Sequence, residues 1–213
     1  EKRMKKLGLI GGVGPEATIP YYKGIVYGVQ KRLNKAFFPP LVIESLSSFE
    51  VIRMSSQNDR DGLTEYLLGG IRNLYAAGAE VGALACNTGH MVFNELKKQS
   101  PIPLVSIVET TCLEAKQQNF KKVGLLGTIP TMEDNYFKNP FLGAGIELGI
   151  VKEKTVRQFM HITEKMIKEQ NIEAVILGCT ELPLLFKDKK ASVPVLDTMQ
   201  LHIQALVNII LEG

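Results

Sequence analysis

The stretch LACNTGH (residues 84–90) ends an apolar run on a thiol, an amide and a hydroxyl in succession. The same change recurs in VILGCTELP (175–183), where apolar residues lead into Cys179 and Thr180. In open α/β sheets, ligands bind beyond the carboxyl ends of the strands. The chain has three cysteines, and two of them, Cys86 and Cys179, stand at the ends of such runs. These stretches therefore predict both the fold class and the place where chemistry occurs.

Apolar runs alternate with helical patterns along the rest of the chain. The strand-like runs cover residues 7–12, 40–46, 79–86, 103–108, 122–128, 173–179 and 193–198. Helices are predicted over 15–31, 61–77, 90–98, 109–118, 131–138, 155–170 and 199–212. Continuous apolar strands separated by helices are typical of parallel sheets covered on both faces. The predicted fold class is therefore α/β.

A repeat divides the chain into two halves. LGLIGGVGPEAT (7–18) resembles VGLLGTIPTMED (123–134), because each has a strand, a turn containing Gly and Pro, and a helix start. Each half also contributes one cysteine at a strand end. We therefore expect two α/β domains, one formed by residues 1–100 with 199–213 and the other by residues 101–198.

The two halves differ in length. Gly8 precedes Cys86 by 78 positions (86 − 8), whereas Gly124 precedes Cys179 by 55 (179 − 124). The second half is thus 23 residues shorter over the same elements, since 78 − 55 = 23. Either it lacks an element or the sequence omits a loop near 148/149, and the omission is the favoured explanation.

Composition excludes several classes of function. The 213 residues are 45% hydrophobic and 22% charged, which is ordinary for a globular protein with a full core. A net charge of +3 is too small to indicate a nucleic acid or an anionic membrane as partner. The basic N-terminus runs straight into a strand pattern, unlike a signal peptide. An odd number of cysteines without CxxC pairing argues against a disulfide framework, so a cytoplasmic location is expected.

Two opposed thiols suit one kind of reaction. A thiolate that removes a proton from carbon, with a thiol that delivers one to the opposite face, inverts a stereocentre without a cofactor. Asn87, Thr88 and Thr180 stand at the starts of the following helices, where donors and the helix dipole favour a substrate carboxylate. The alternative is that the cysteines are small buried apolar residues. A metal site is not expected, because the spacing fits no zinc pattern.

The segment GVGPEA (12–17) matches the dinucleotide-binding pattern G-x-G-x-x-A after a first strand. Pro15 and Glu16 at the helix start argue against NAD, and so does Glu44, which lies inside the next strand rather than at its end. The turn is instead predicted to offer N–H groups to a small carboxylate, from Gly12, Val13 and Gly14.

The remaining candidates each have a structural alternative. His90 follows the first cysteine by four residues and can tune the site, cap the helix or pack. Cys112 is predicted to be a core residue, and His161 and His202 to be structural or exposed. The pair at 197–198 closes a strand and is predicted to cap the next helix.

Five motifs occur in one order and span nearly the whole chain: GLIGGVGPEAT (8–18), CNTGH (86–90), LLGTIPTM (125–132), GCTELPLL (178–185) and VPVLDT (193–198). With them the sequence resembles the cofactor-independent aspartate/glutamate racemases. The GxGPEAT form and the short turn of the second half are more similar to the aspartate racemase branch than to the glutamate racemases of cell-wall synthesis.

The resemblance implies two flavodoxin-like, doubly wound parallel-sheet domains related by a pseudo-twofold, with the active site in the cleft between them. It also implies a homodimer and a reaction without pyridoxal phosphate or another cofactor. Cys86 and Cys179 take the places of the two catalytic cysteines. The carboxylate-binding positions correspond to Asn87, Thr88, Thr128, Thr180 and, more loosely, Glu181.

Members of this family also set basic residues against the substrate carboxylates. Arg53 and Lys152 are the candidates, placed by approximate position only. The family has more residues before the stretch that resembles GIVKEKT (149–155), which agrees with the shortfall found from the repeat.

The predicted function is inversion of a small acidic amino acid, aspartate first and glutamate second. A related alternative is an isomerase or decarboxylase of dicarboxylates such as maleate, with one cysteine as nucleophile or proton donor. Another is a non-catalytic protein that binds small acids. Both cysteines are present with a threonine after each, and this favours racemisation.

Overall fold

A computed structural model gives the structure of the chain and describes residues 3–150, 159–179, 182 and 191–212. Within these residues, two parallel four-stranded sheets are flanked by helices, which confirms the predicted α/β class. The strands are β1 Leu7–Gly11, β2 Leu41–Ser45, β3 Val81–Leu84, β4 Leu104–Val105, β5 Lys122–Leu126, β6 Glu147–Ile150, β7 Ala174–Leu177 and β8 Val195–Asp197.

The helices follow the predicted order with one addition. They are α1 Pro15–Leu33, α2 Ser48–Ser56, α3 Arg60–Ala76, α4 Phe93–Gln99, α5 Ile107–Gln117, α6 Ile129–Glu133, α7 Asn135–Gly143, α8 Phe159–Gln170 and α9 Thr198–Leu211, with a 3-10 helix at Thr88–Val92. Helix α2 was not predicted. The helix predicted over 131–138 is two helices, because Asp134 caps α7 by accepting from the Tyr136 N–H at 3.0 Å. Among the described residues, no helix is both long and apolar enough to cross a bilayer.

The first compact unit contains Glu1–Ile107 with His202–Gly213. Its sheet has the order β2-β1-β3-β4, so β3, which precedes Cys86, lies inside the sheet between two neighbours. The domain border predicted at residue 100 falls before β4. Because Leu104 of β4 pairs with Gly82 of β3, β4 belongs to this first unit.

The second compact unit contains Val108–Leu201. Its sheet has the order β6-β5-β7-β8, which is the same order as in the first unit. Flavodoxin-like sheets begin with this 2-1-3-4 arrangement. The strand before Cys179, β7, thus holds the same internal position as β3. Part of the helix predicted over 155–170, namely 155–158, lies outside the described residues.

The shortfall of the second half arises in two connections. Residues 12–40, 29 in number, join β1 to β2, whereas residues 127–146, 20 in number, join β5 to β6. Likewise 35 residues (46–80) join β2 to β3, and 23 (151–173) join β6 to β7. Strand β6 pairs with β5 without a break through Leu148 and Gly149. The shortfall is therefore spread over these two connections, and the omission near 148/149 stays a prediction.

Candidate functional site

Cys86 lies just beyond the carboxyl end of β3. The hydrogen bonding between β3 and β1 continues one residue beyond the end of β3, where the Ala85 N–H donates to the Ile10 carbonyl at 2.9 Å. The next residue is Cys86, whose side chain is buried with 5% of its surface exposed. An internal strand of a parallel sheet thus delivers the thiol to the edge where ligands bind in this class of fold.

The surroundings keep the Cys86 thiol neutral. Burial raises its pKa from 9.0 to about 11, although a backbone hydrogen bond from Gly89 opposes the rise. Gly89 packs so closely that a Cβ there would lie 3.2 Å from Sγ and 2.7 Å from Cδ2 of Leu84. The predicted stabilisation of a thiolate by backbone N–H groups is thus outweighed by burial. In this state the sulfur of Cys86 carries its proton at neutral pH.

The His90 ring is held between two backbone groups. Its Nδ1 donates to the Cys86 carbonyl at 3.0 Å, and its Nε2 accepts from the Ile107 N–H at 3.1 Å. The partners assign the neutral tautomer with its proton on Nδ1, since a carbonyl accepts and an N–H donates. Burial, together with His202, lowers the pKa of His90 to about 3.

Asn87 and Thr88 follow Cys86 at the start of the 3-10 helix. The Asn87 carbonyl accepts from the His90 N–H at 2.9 Å, which closes the turn. The Oδ1 atom of Asn87 is buried and accepts no hydrogen bond within the described residues, although Asn87 has other interactions. Helices α2 and α3 pack against this turn, and Arg60 donates to the Met91 carbonyl at 2.6 Å.

The glycine turn before α1 differs in part from the prediction. The Gly12 N–H donates to Oγ1 of Thr18 at 2.9 Å, so it is not available to a ligand in this arrangement. Gly12 has φ 77°, and a Cβ there would collide with the Leu46 carbonyl, so only glycine fits. Within the described residues, the N–H groups of Val13 and Gly14 make no hydrogen bond, which leaves these two as candidate donors.

Cys179 stands in the equivalent place of the second unit. The Gly178 N–H donates to the Leu126 carbonyl at 2.6 Å, as Ala85 does to Ile10. Cys179 is half-buried and packs on an apolar cluster formed by Leu126, Ile162, Met166, Ile172, Val175, Leu177 and Leu182. Thr180 and Glu181 lie outside the described residues.

The two residues predicted to cap the last helix, Asp197 and Thr198, make different contacts. Oδ1 of Asp197 accepts from the N–H groups of Met199 and Gln200 at 3.0 and 3.1 Å, so Asp197 caps α9 as predicted. The buried Thr198 hydroxyl instead donates to the Leu177 carbonyl at 2.8 Å, at the end of β7. Sequence reasoning missed this second contact, which joins residues 21 positions apart.

A group of hydroxyls surrounds Thr128, the predicted donor after β5. Its Oγ1 lies 3.1 Å from Oγ1 of Thr131, to which Tyr136 also donates at 2.9 Å. This turn touches the turn before Cys179, because a Cβ on Gly127 would lie 3.5 Å from the Gly178 carbonyl oxygen. Thr131 and Tyr136 were not predicted. Their helical spacing in the sequence carries no signal that separates them from packing residues.

One of the two predicted basic residues has partners close to it along the chain. Arg53 lies on α2 and pairs with Glu50 (Nη2 to Oε2, 2.8 Å) and with Gln57 at 3.3 Å. Lys152 lies outside the described residues. Glu50 and Gln57 thus engage three of the five N–H donors of the Arg53 guanidinium.

Cys112 and His202 make contacts that stabilise the fold, and His161 lies at the surface. Sγ of Cys112 donates to the Pro140 carbonyl at 3.6 Å, His161 is exposed, and His202 is buried. His202 accepts from the Tyr21 hydroxyl at 2.8 Å and donates to the Val105 carbonyl at 3.0 Å. Among the described residues, His, Cys, Asp and Glu form no cluster of three that could hold a metal ion.

The sequence is similar to known proteins along most of its length. The sequence model of the Asp/Glu/Hydantoin racemase family matches residues 10–206. The broad specificity amino-acid racemase RacX of Bacillus subtilis (strain 168) is 24% identical over 90% of this chain and 92% of its own.

Solved structures extend the similarity to the whole fold. An aspartate racemase homologue from Pyrococcus horikoshii OT3 is 32% identical with a TM-score of 0.83, over 97% of this chain and 99% of that one. Glutamate racemase from Aquifex pyrophilus shares the fold with a TM-score of 0.68 at 24% identity, over 96% of this chain and 84% of that one. The predicted resemblance is confirmed: the chain belongs to the Asp/Glu/Hydantoin racemase family.

Proposed function

We propose that this protein racemises a small acidic amino acid, aspartate first, without a cofactor. Membership of the family and the activity of a relative, a broad specificity amino-acid racemase, support amino-acid racemisation in general. Aspartate is proposed ahead of glutamate because the aspartate racemase homologue is more similar in sequence and in length than the glutamate racemase.

The observation that carries the proposal is the equivalence of the two cysteines. Each follows the internal strand β3 or β7, one residue beyond an N–H that donates to the first strand of its own sheet. Cysteines kept only for packing have no reason to occupy one topological position in two sheets. A two-base reaction needs one such thiol on each side of the substrate.

In the proposed mechanism, one cysteine acts as a thiolate and the other as a thiol. The Cys179 thiolate removes the α-proton, and the Cys86 thiol gives its proton to the opposite face of the same carbon. The C–H bond broken on one face is thereby replaced on the other, and the two sulfurs exchange protonation states. The reverse reaction starts from those exchanged states, so both enantiomers are substrates.

The burial of Cys86 matches the role of proton donor. Its raised pKa keeps the proton on sulfur until charge develops at the α-carbon. Hydrogen bonds to the α-carboxylate stabilise that charge, and this kind of stabilisation is usually the largest contribution to catalysis. We propose Asn87, Thr88 and Thr128 as donors, with Thr180, Glu181, Arg53 and Lys152 as further binding residues.

The test follows the α-proton directly. Proton NMR in deuterated water measures exchange at the α-carbon of L- and D-aspartate, then of L- and D-glutamate, without added cofactor. The wild type is compared with Cys86→Ala and Cys179→Ala. Cys112→Ala is the matched control, because Cys112 is also a buried cysteine but lies on helix α5 and does not follow a strand.

We expect inversion with deuterium incorporation in the wild type and in Cys112→Ala. Each of the other two variants should lose inversion, since it lacks one of the two proton-transferring groups. Unchanged inversion in either would overturn the two-base mechanism. Absence of exchange from all four amino acids, with folded and reduced protein, would exclude these substrates. Dicarboxylates would then be assayed.

A further inference from the structure

The imidazole of His90 is a buried titratable group that the proposed mechanism does not use. Only 2% of its surface is exposed, and its ring stacks on Phe93 with centroids 4.7 Å apart and planes 5° from parallel. Nδ1 gives its proton to the Cys86 carbonyl, and the Nε2 lone pair accepts from Ile107. With both nitrogens engaged by backbone, the ring has no free position from which to exchange a proton with a substrate.

The contact with Cys86 fixes the peptide that carries the thiol. On one side, the Ala85 N–H is held by the Ile10 carbonyl at 2.9 Å. On the other side, the Cys86 carbonyl is held by His90 at 3.0 Å. Rotation about the Cα–Cβ bond is the main freedom left to the side chain. A backbone hydrogen bond from Gly89 to the thiol opposes that rotation. A side chain at position 89 would crowd the thiol, since its Cβ would lie 3.2 Å from Sγ.

We propose that His90 is a positioning residue for Cys86, acting through the Cys86 carbonyl and not as an acid or base. The proposal rests on the proposed function for its catalytic consequence, but its structural part stands on the contacts of the first unit alone. The contact with Ile107 has a separate role. It supplies an acceptor to the first N–H of α5, which has no partner inside its own helix.

Two substitutions separate these contacts. The amide nitrogen of Asn lies close to the position of Nδ1, so His90→Asn retains a donor for Cys86 and loses the acceptor for Ile107. The end of a Gln side chain reaches the position of Nε2, so His90→Gln retains the acceptor and loses the donor. His202→Gln is the matched control, because His202 is equally buried and also bridges two partners, Tyr21 and Val105, but does not contact Cys86.

Racemisation kinetics provide the first readout. His90→Gln should lower kcat by about tenfold to hundredfold, because small displacements of a reacting group have effects of that size. KM should change by less than about threefold, since backbone groups engage both ring nitrogens and leave neither for a substrate. His90→Asn and His202→Gln should retain kcat within about threefold of the wild type.

Alkylation by iodoacetamide provides a second readout that needs no substrate. The rate is measured for each cysteine by peptide mass spectrometry. Local opening of the turn in His90→Gln should speed alkylation of Cys86 by about tenfold, while Cys112 and Cys179 change by less than about twofold. His90→Asn should stay near the wild-type rate at all three cysteines.

These results separate the two proposals. Faster alkylation of Cys86 in His90→Gln alone supports the positioning role, even for a protein without racemase activity. Equal loss in His90→Asn and His90→Gln, or the same effect in His202→Gln, would overturn it, because a general loss of stability then explains the data. Should His90→Gln not fold, nitrogen-15 NMR of the wild type decides: a ring protonated on Nε2 would refute the role.

Discussion

The two cysteine turns occupy the same place in their sheets but are held by different chemistry. The turn at Cys86 is braced by His90, four residues further along the chain. The end of β7, two residues before Cys179, is braced by the hydroxyl of Thr198, which comes from the start of α9. The comparison shows that the order of strands in a sheet determines the position of each cysteine. The side chain that hydrogen-bonds the backbone near that cysteine differs between the two units.

The turns also differ in how deeply they bury their sulfur. Cys86 is enclosed, and burial raises its pKa to about 11, whereas Cys179 is half-buried against an apolar cluster. Similar backbone frames thus present one thiol that is hard to ionise and one that is more accessible. This difference is compatible with the proposed two-base mechanism, in which Cys86 starts as the thiol that donates a proton.

The largest effect we expect is that acid destabilises the first unit, which contains His90 and His202, more than the second unit. Burial lowers the pKa of His90 to about 3 and that of His202 to about 4. Protons therefore bind more tightly to these histidines in the unfolded chain than in the folded one. Their contribution to the free energy of unfolding is complete at pH values above 6.5, the ordinary pKa of histidine, and is lost as the pH falls toward 3 to 4. At pH 5 the free energy of unfolding should be lower by about 2 kcal/mol for each histidine.

Hydrogen-exchange mass spectrometry at pH 7 and pH 5, corrected for intrinsic exchange, measures this loss. Protection should fall in residues 1–107 and 202–213 more than in 108–201, where the single histidine, His161, is exposed. His202→Gln should show about half the acid sensitivity of the wild type. An equal fall in both units would contradict the expectation.

Thiol reactivity should distinguish the two cysteines next. A pKa of about 11 instead of 9.0 leaves about a hundredfold less thiolate at neutral pH, so alkylation of Cys86 should be slower by that factor than for an ordinary thiol. The rate should rise tenfold per pH unit up to about pH 11. Cys179, which is more exposed than Cys86, should react faster. The urea-unfolded chain, with equal rates at all three cysteines, is the control.

Removing the hydroxyl that braces the second turn should have a smaller effect. Thr198→Val deletes the bond to the Leu177 carbonyl and should lower the free energy of unfolding by about 1–2 kcal/mol, as expected for a buried hydrogen bond. Chemical denaturation measures the change. Thr198→Ser retains the hydroxyl and should lose less. Equal losses in the two variants would assign the effect to packing of the methyl group instead.

The smallest effect concerns Arg53 beside the first turn. Glu50→Gln breaks its exposed ion pair and should change stability by less than about 0.5 kcal/mol. The freed guanidinium should lower KM for aspartate if Arg53 binds a carboxylate as predicted. Glu65→Gln, which breaks the exposed pair between Glu65 and Arg72, is the control and should leave KM unchanged. A KM that does not respond to Glu50→Gln would remove Arg53 from the site.

Much of the fold followed from periodicity, because buried parallel strands are continuous apolar runs and seven of the eight strands appeared as such. Helix α2 was not predicted, because it is short and buries only Val51 and Met54. The break between α6 and α7 was not predicted either, because an Asp that caps a helix cannot be told from a polar surface residue within a helical pattern. The shortfall of the second half is shared between two connections, which the distance from Gly124 to Cys179 along the chain does not reveal.

Candidate residues were predictable where chain neighbours form the site, as in the run from Cys86 to His90. They were not predictable where the partner comes from elsewhere in the chain. Thr131, Tyr136 and Thr198 reach their partners only after strands and helices have packed. A threonine on a helix gives no local sign of which carbonyl its hydroxyl will meet.

The sequence by itself determined the α/β class, the two-fold repetition of a strand–turn–helix unit and the position of a cysteine after each internal strand. These depend on hydrophobic periodicity and on neighbours along the chain. The tertiary structure decided the tautomer of His90, the raised pKa of Cys86 and the hydrogen bond from Thr198 to the end of β7. These depend on burial and on contacts between distant residues, which exist only once the chain has packed.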